Sequence, residues 1–110
     1  MARGQANRGG SFLRGSTGEY KALAAGATTA LGAGTKIGDY IEGLIIVVAT
    51  AATAQVQIKD GADAAITVFP NSPGGGVGTY NVALGLKSRT GGWSVIVGAG
   101  STVVAVGNFT

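Results

Sequence analysis

Glycine interrupts this chain too often for long helices to form. It fills 21 of the 110 positions, well above its usual share of about 7%. The excess has no three-residue collagen period, so it reads as frequent turns. Between the turns, apolar residues recur with the period of 2 that belongs to strands. No segment carries a helical apolar stripe. Ala22–Ala30 is rich in alanine, but Gly26 and the Thr28-Thr29 pair break it and it has no apolar face.

Seven or eight short strands follow from this pattern, at Tyr20–Ala24, Thr28–Leu31, Asp39–Ala49, Gln55–Lys59, Ala64–Phe69, Thr79–Leu86, Trp93–Val97 and Thr102–Phe109. Tyr20, Ala22 and Ala24 share one face of the first. Val56 and Ile58, and later Trp93, Val95 and Val97, are expected to point inward. Tyr80, Val82, Leu84 and Leu86 share one face of their strand. The run Leu44–Val48 is continuously aliphatic, which predicts burial on both sides. Lys59-Asp60-Gly61 predicts a tight hairpin, and Arg89–Gly92 a second hairpin-type connection. Pro70–Gly76, with two prolines and three glycines, is a surface loop. Gly107, inside the last strand, marks a bulge or a close approach to a neighbour. Turns about every 8–12 residues predict an all-β, antiparallel two-sheet sandwich of jelly-roll-like form. Trp93, Phe69, Tyr80 and Leu44–Val48 would be its core.

Charge divides the chain in two. Residues 1–18 hold Arg3, Arg8 and Arg14 with no acidic group, and residues 19–110 hold five basic and five acidic residues. The net charge of +3 therefore resides in the leading segment. That segment is rich in Gly, Ser and Asn and too poor in apolar side chains to order alone. It reads either as a solvated, disordered leader or as an extended arm that orders on a neighbouring subunit, with Phe12 and Leu13 as apolar anchors beside the arginines, and the second reading is adopted. Residues 19–110 read as the sandwich domain.

The residue types that carry most chemistry are missing. There is no cysteine and no histidine, so disulfides and the commonest neutral-pH acid/base and metal-binding side chain are excluded. Ser88 and Ser94 have no evident activating base among the usual partners. Asp39 and Glu42, three apart on a strand, point to opposite faces. Asp60 and Asp63 are too few for a calcium site, which needs about six to eight oxygen ligands. Gly32-Ala-Gly34-Thr-Lys36 lacks both the spacing and the following helix of a phosphate-binding loop. The chain does not read as an enzyme, and neither cofactor nor metal is expected.

Three arginines over fourteen residues would hold nucleic acid only weakly, so such a partner is disfavoured. The apolar run Leu44-Ile-Ile-Val-Val-Ala49 is far shorter than the roughly 20 residues of a membrane-spanning helix. Phe12 and Leu13 do not make the apolar core of a secretory signal. The expected place of synthesis is the cytoplasm.

Residues of about 18–110 resemble small tailed-bacteriophage virion proteins of the head decoration (cement) or head-fibre kind. The likeness rests on Gly18-Glu-Tyr-Lys-Ala-Leu-Ala24, Gly38-Asp-Tyr-Ile-Glu-Gly-Leu-Ile-Ile46, Lys59-Asp-Gly61, Ile66-Thr-Val-Phe-Pro70, Gly92-Trp93 and Val104-Ala-Val-Gly-Asn-Phe-Thr110. The resemblance implies a sandwich assembled as a homo-oligomer, dimer or trimer, that clamps the major capsid protein on the virion exterior. The capsid-binding residues of the arm would be Arg3, Arg8, Phe12, Leu13 and Arg14. The competing reading is a glycan-binding module, since such sandwiches also serve as lectins. Tyr40, Tyr80 or Trp93 would then stack on sugars, with the loops Pro70–Gly76 and Ser88–Gly92 at the binding face. Asn71, Arg89 and Trp93 are the candidate loop contacts.

Overall fold

The alternating segments form strands nearly where their spacing places them. The computed structural model describes residues 19–32 and 36–110. The basic leading segment, with Arg3, Arg8, Phe12, Leu13 and Arg14, lies outside the described residues. The strands are β1 (Glu19–Leu23), β2 (Thr28–Ala30), β3 (Tyr40–Val48), β4 (Val56–Asp60), β5 (Ile66–Phe69), β6 (Gly78–Lys87), β7 (Trp93–Val97) and β8 (Ser101–Asn108). One turn of 3-10 helix, Ala51–Thr53, separates β3 from β4.

Among the described residues all strand pairs are antiparallel, in two four-stranded sheets ordered β1-β8-β3-β6 and β2-β7-β4-β5. The first strand thus pairs with the eighth, the second with the seventh, the third with the sixth and the fourth with the fifth. One long antiparallel ribbon, rolled up so that successive pairs fall in opposite sheets, produces this order. It is the jelly-roll arrangement of a β-sandwich.

The core lies between the sheets and follows the period of 2. On β3 it takes Ile41, Leu44, Ile46 and Val48; on β4, Val56 and Ile58; on β7, Trp93, Val95 and Val97; on β8, Val103 and Ala105. Burying each of the larger aliphatic side chains contributes about 1.5–3 kcal/mol. Phe69 and Tyr80 meet across the two sheets with ring centroids 4.9 Å apart and planes tilted by 60°, a favoured aromatic geometry. Tyr80 is only half-buried, and its hydroxyl donates to the Gly76 carbonyl at 2.6 Å.

Several expectations are corrected here. The run Leu44–Val48 is covered on one side only: Ile45 is 37% and Val47 45% exposed, because they face away from the second sheet. Arg89–Gly92 is not a hairpin; it carries the chain from β6 in one sheet to β7 in the other. The Asp-Gly pair does lie in a hairpin, but β4 and β5 are joined through Gly61–Ala65 rather than a two-residue turn. Leu86 is 38% exposed, beyond Gly85 at φ +65°, where the pairing of β3 and β6 shifts register. The close approach at Gly107 is internal: a Cβ there would run into the Tyr40 carbonyl and the Phe109 ring.

Candidate functional site

One end of the sandwich is fastened by two buried aspartates. Asp60 closes β4 and is 7% exposed. Its carboxylate accepts the Ser88 hydroxyl at 2.6 Å and the Arg89 amide at 2.8 Å. The Thr90 and Gly91 amides reach it at 3.3 Å. Ser88 Oγ in turn accepts the Gly92 amide at 2.7 Å, so one carboxylate shapes the whole β6–β7 crossing. Burial disfavours ionisation of Asp60, but the Ser88 hydroxyl and the Arg89, Gly91 and Thr90 amides outweigh it and hold the carboxyl below its ordinary value.

Asp39 works beside it. Its carbonyl accepts the Ser88 amide at 2.8 Å and the Trp93 indole N–H at 3.1 Å. Its carboxylate accepts the amide and the hydroxyl of Thr110, the hydroxyl at 2.7 Å. Ser88 therefore bridges both aspartates at 2% exposure. It has an acidic neighbour after all, yet is too buried to meet a substrate. In the sequence Asp39 stands out only as one of two strand carboxylates, and Asp60 only as a turn residue near Asp63. No sequence-local signal reveals their joint role, because their partners lie 28–71 positions away.

The candidate loop contacts separate. Arg89 is exposed beside a cleft of about 290 Å³, which Asp60, Asp63, Lys87, Ile66 and Trp93 also line. Trp93 belongs to the core at 5% exposure, with its N–H already committed. Its indole is thus not available as a stacking platform, which corrects its place among the loop contacts. Asn71 is exposed but ties two segments together: its side-chain carbonyl accepts the Gln55 amide at 2.9 Å. Gly98-Ala-Gly100 is the turn between β7 and β8, clasped by Thr50–Gln55. The Gly98 and Gly100 amides donate to the Gln55 and Thr53 carbonyls at 2.8 and 2.9 Å.

A different surface stands out on the far side of the β1-β8-β3-β6 sheet. Pairing aligns its outward residues in rows: Tyr20, Val106, Gly43 and Ala83; then Ala22, Val104, Ile45 and Asn81; then Thr102, Val47 and Thr79. None of these residues is charged. Tyr20 stands up from the edge at 76% exposure. Toward the other edge the face has a shallow, open hollow of about 230 Å³, lined by Glu42, Gly43, Ile45, Asn81, Ala83 and Val106. The hollow sits at the irregularity between Ile41 and Gly43, where the pairing of β3 shifts on both sides.

Among the described residues there is no helix long and apolar enough to cross a membrane, and no group of three or more His, Cys, Asp or Glu positioned to hold a metal ion. Searches found no family model that matches the chain and no match among curated proteins.

Proposed function

We propose that this chain is a structural protein of a bacteriophage particle, which binds the outer surface of the capsid and stabilises it as a decoration or cement protein. The observation that carries this reading is the separation of charge. The sandwich has equal numbers of acidic and basic residues, while Arg3, Arg8 and Arg14 account for the net charge of +3 in the segment that leads into β1. Arginines concentrated in one leading segment suit acidic patches on a shell protein, and Phe12 and Leu13 suit an apolar groove beside them. A segment that orders on contact can wrap a broad surface, and many copies on one shell act together through multivalency. The jelly-roll body supports the reading, since the fold recurs in virion proteins, as do the strand and turn phrases quoted above.

The test is co-sedimentation with empty capsids. Deleting residues 2–17 should abolish pelleting while the circular dichroism of the sandwich stays unchanged; undiminished pelleting would overturn the proposal.

A second reading, glycan binding by the loop end, draws on the cleft beside Arg89, where Asp63 and Lys87 add polar groups. The burial of Trp93 weakens it. Binding to a glycan array that is lost on Arg89→Ala, together with failure to pellet with capsids, would favour this reading over the first.

A further inference from the structure

We infer that the outer face of the β1-β8-β3-β6 sheet is a homodimer interface, in which a second copy of the chain lays the same face against it and each Tyr20 fills the other copy's hollow at Gly43 and Ala83. The inference stands on the sheet face and does not rest on the capsid reading.

Shape is the first ground. Tyr20 and the hollow lie in the same cross-strand row, the knob on edge strand β1 and the hollow between β3 and edge strand β6. Consider a two-fold axis parallel to the strands, running between β8 and β3. It exchanges β1 with β6 and β8 with β3, and keeps every row opposite itself. Tyr20 of each copy then sits over Ala83 of the other. Val104 of each meets Ile45 of the other. A face carrying both a knob and its matching hollow, placed symmetrically about its centre, is what an isologous contact requires. Glu42 and Asn81 at the hollow would offer acceptors to the incoming tyrosine hydroxyl.

Chemistry is the second ground. Ile45, Val47, Val104 and Val106 put four β-branched side chains at the centre of three uncharged rows, and the charges of Glu42 and Lys87 stand beyond them toward the Tyr40 end of the face. Interface cores are depleted of charged residues in this way. Two identical copies can meet along these rows without opposing like charges. The apolar run of β3 gains cover on its second side by the same step.

Area is the third. Strands of five, eight, nine and ten residues, at about 3.3 Å per residue and about 4.8 Å apart, give a face of about 510 Å² per copy. Two such faces give about 1,000 Å², the lower limit for a specific interface. The packing would be the aligned, sheet-on-sheet kind.

Sedimentation velocity on the full chain, combined with cysteine cross-linking, tests this. The expected mass is twice that of the 10.7 kDa chain, and Ile45→Lys should weaken self-association at least tenfold. Because a lysine there could also perturb folding, the decisive variant is Tyr20→Cys with Ala83→Cys. Within one chain these positions are three strand spacings apart, about 14 Å, beyond the reach of a disulfide. The chain has no other cysteine, and packed sheets stand about 10 Å apart, so a bis-maleimide of about that span, too short to join the two positions within one chain, should turn a Y20C/A83C dimer into a covalent dimer in denaturing electrophoresis. A monomeric or trimeric wild type overturns the inference, as does a dimer that resists this cross-link. A chain that is monomeric until residues 2–17 are deleted also overturns it, because the leading segment would then be the occupant of the face.

Discussion

The Ser88 hydroxyl donates to the Asp60 carboxylate at 2.6 Å across 28 positions of sequence, fastening the β6–β7 crossing to the end of β4. Replacing Asp60 with alanine would leave that hydroxyl and the Arg89, Thr90 and Gly91 amides without their acceptor. Losing charge-assisted hydrogen bonds at a buried site should cost about 3 kcal/mol. Urea unfolding of Asp60→Ala measures it. A loss below about 1 kcal/mol would show that water replaces the carboxylate without penalty.

The same carboxylate predicts a pH dependence. Asp60 titrates below its ordinary value in the folded chain, so its contribution is complete above the unfolded value of about 3.9. It is lost as pH falls from there through the lower folded value. Wild-type stability should drop in acid below about pH 4, and Asp60→Asn should flatten that drop over the same window. Urea midpoints stepped through the window decide the matter, and parallel curves for the two proteins would count against Asp60 as the group responsible.

Trp93 anchors the core at the same end. Trp93→Phe keeps most of the ring and loses the N–H that reaches Asp39, so about 1 kcal/mol is expected. Trp93→Ala should cost about 3–5 kcal/mol through the cavity it opens. Both are read by circular dichroism, since this is the chain's single tryptophan. Equal losses for the two variants would mean that the hydrogen bond, and not the packing, is what matters.

Gly100 and Gly74 form a contrast. A Cβ at Gly100 would collide with the Thr50 carbonyl, whereas nothing lies within 4 Å of one at Gly74. Gly100→Ala should destabilise by about 1–3 kcal/mol, as overpacking does. Gly74→Ala should stay within about 0.5 kcal/mol of wild type. Comparable melting temperatures for the two would refute the clasp around the β7–β8 turn.

If the arginines carry capsid attachment, pelleting should weaken as salt rises, because exposed charges are screened over about 10 Å at 0.1 M. Arg3→Ala, Arg8→Ala and Arg14→Ala together should reduce binding at low salt and remove most of the salt dependence. An unchanged salt response in the triple variant would assign attachment to another surface.

The sandwich was legible because alternation is local. Val56 and Ile58, or Trp93, Val95 and Val97, point one way whatever the rest of the chain does. The charge asymmetry was legible too, being only a matter of which residues stand where. The aspartate hub was not: Asp60 beside Gly61 is indistinguishable from an ordinary turn until Ser88–Gly91 arrive from the other sheet.

By itself, the sequence determined the strand period, the positions of most turns and the placement of net charge, since each depends on neighbouring residues and the geometry of an extended backbone. Tertiary structure alone decided that β1 pairs with β8, and that of the adjacent, identical Ile45 and Ile46 only the second is buried. Those outcomes depend on which distant segment comes to lie alongside a strand and which face it covers, and no local pattern encodes either.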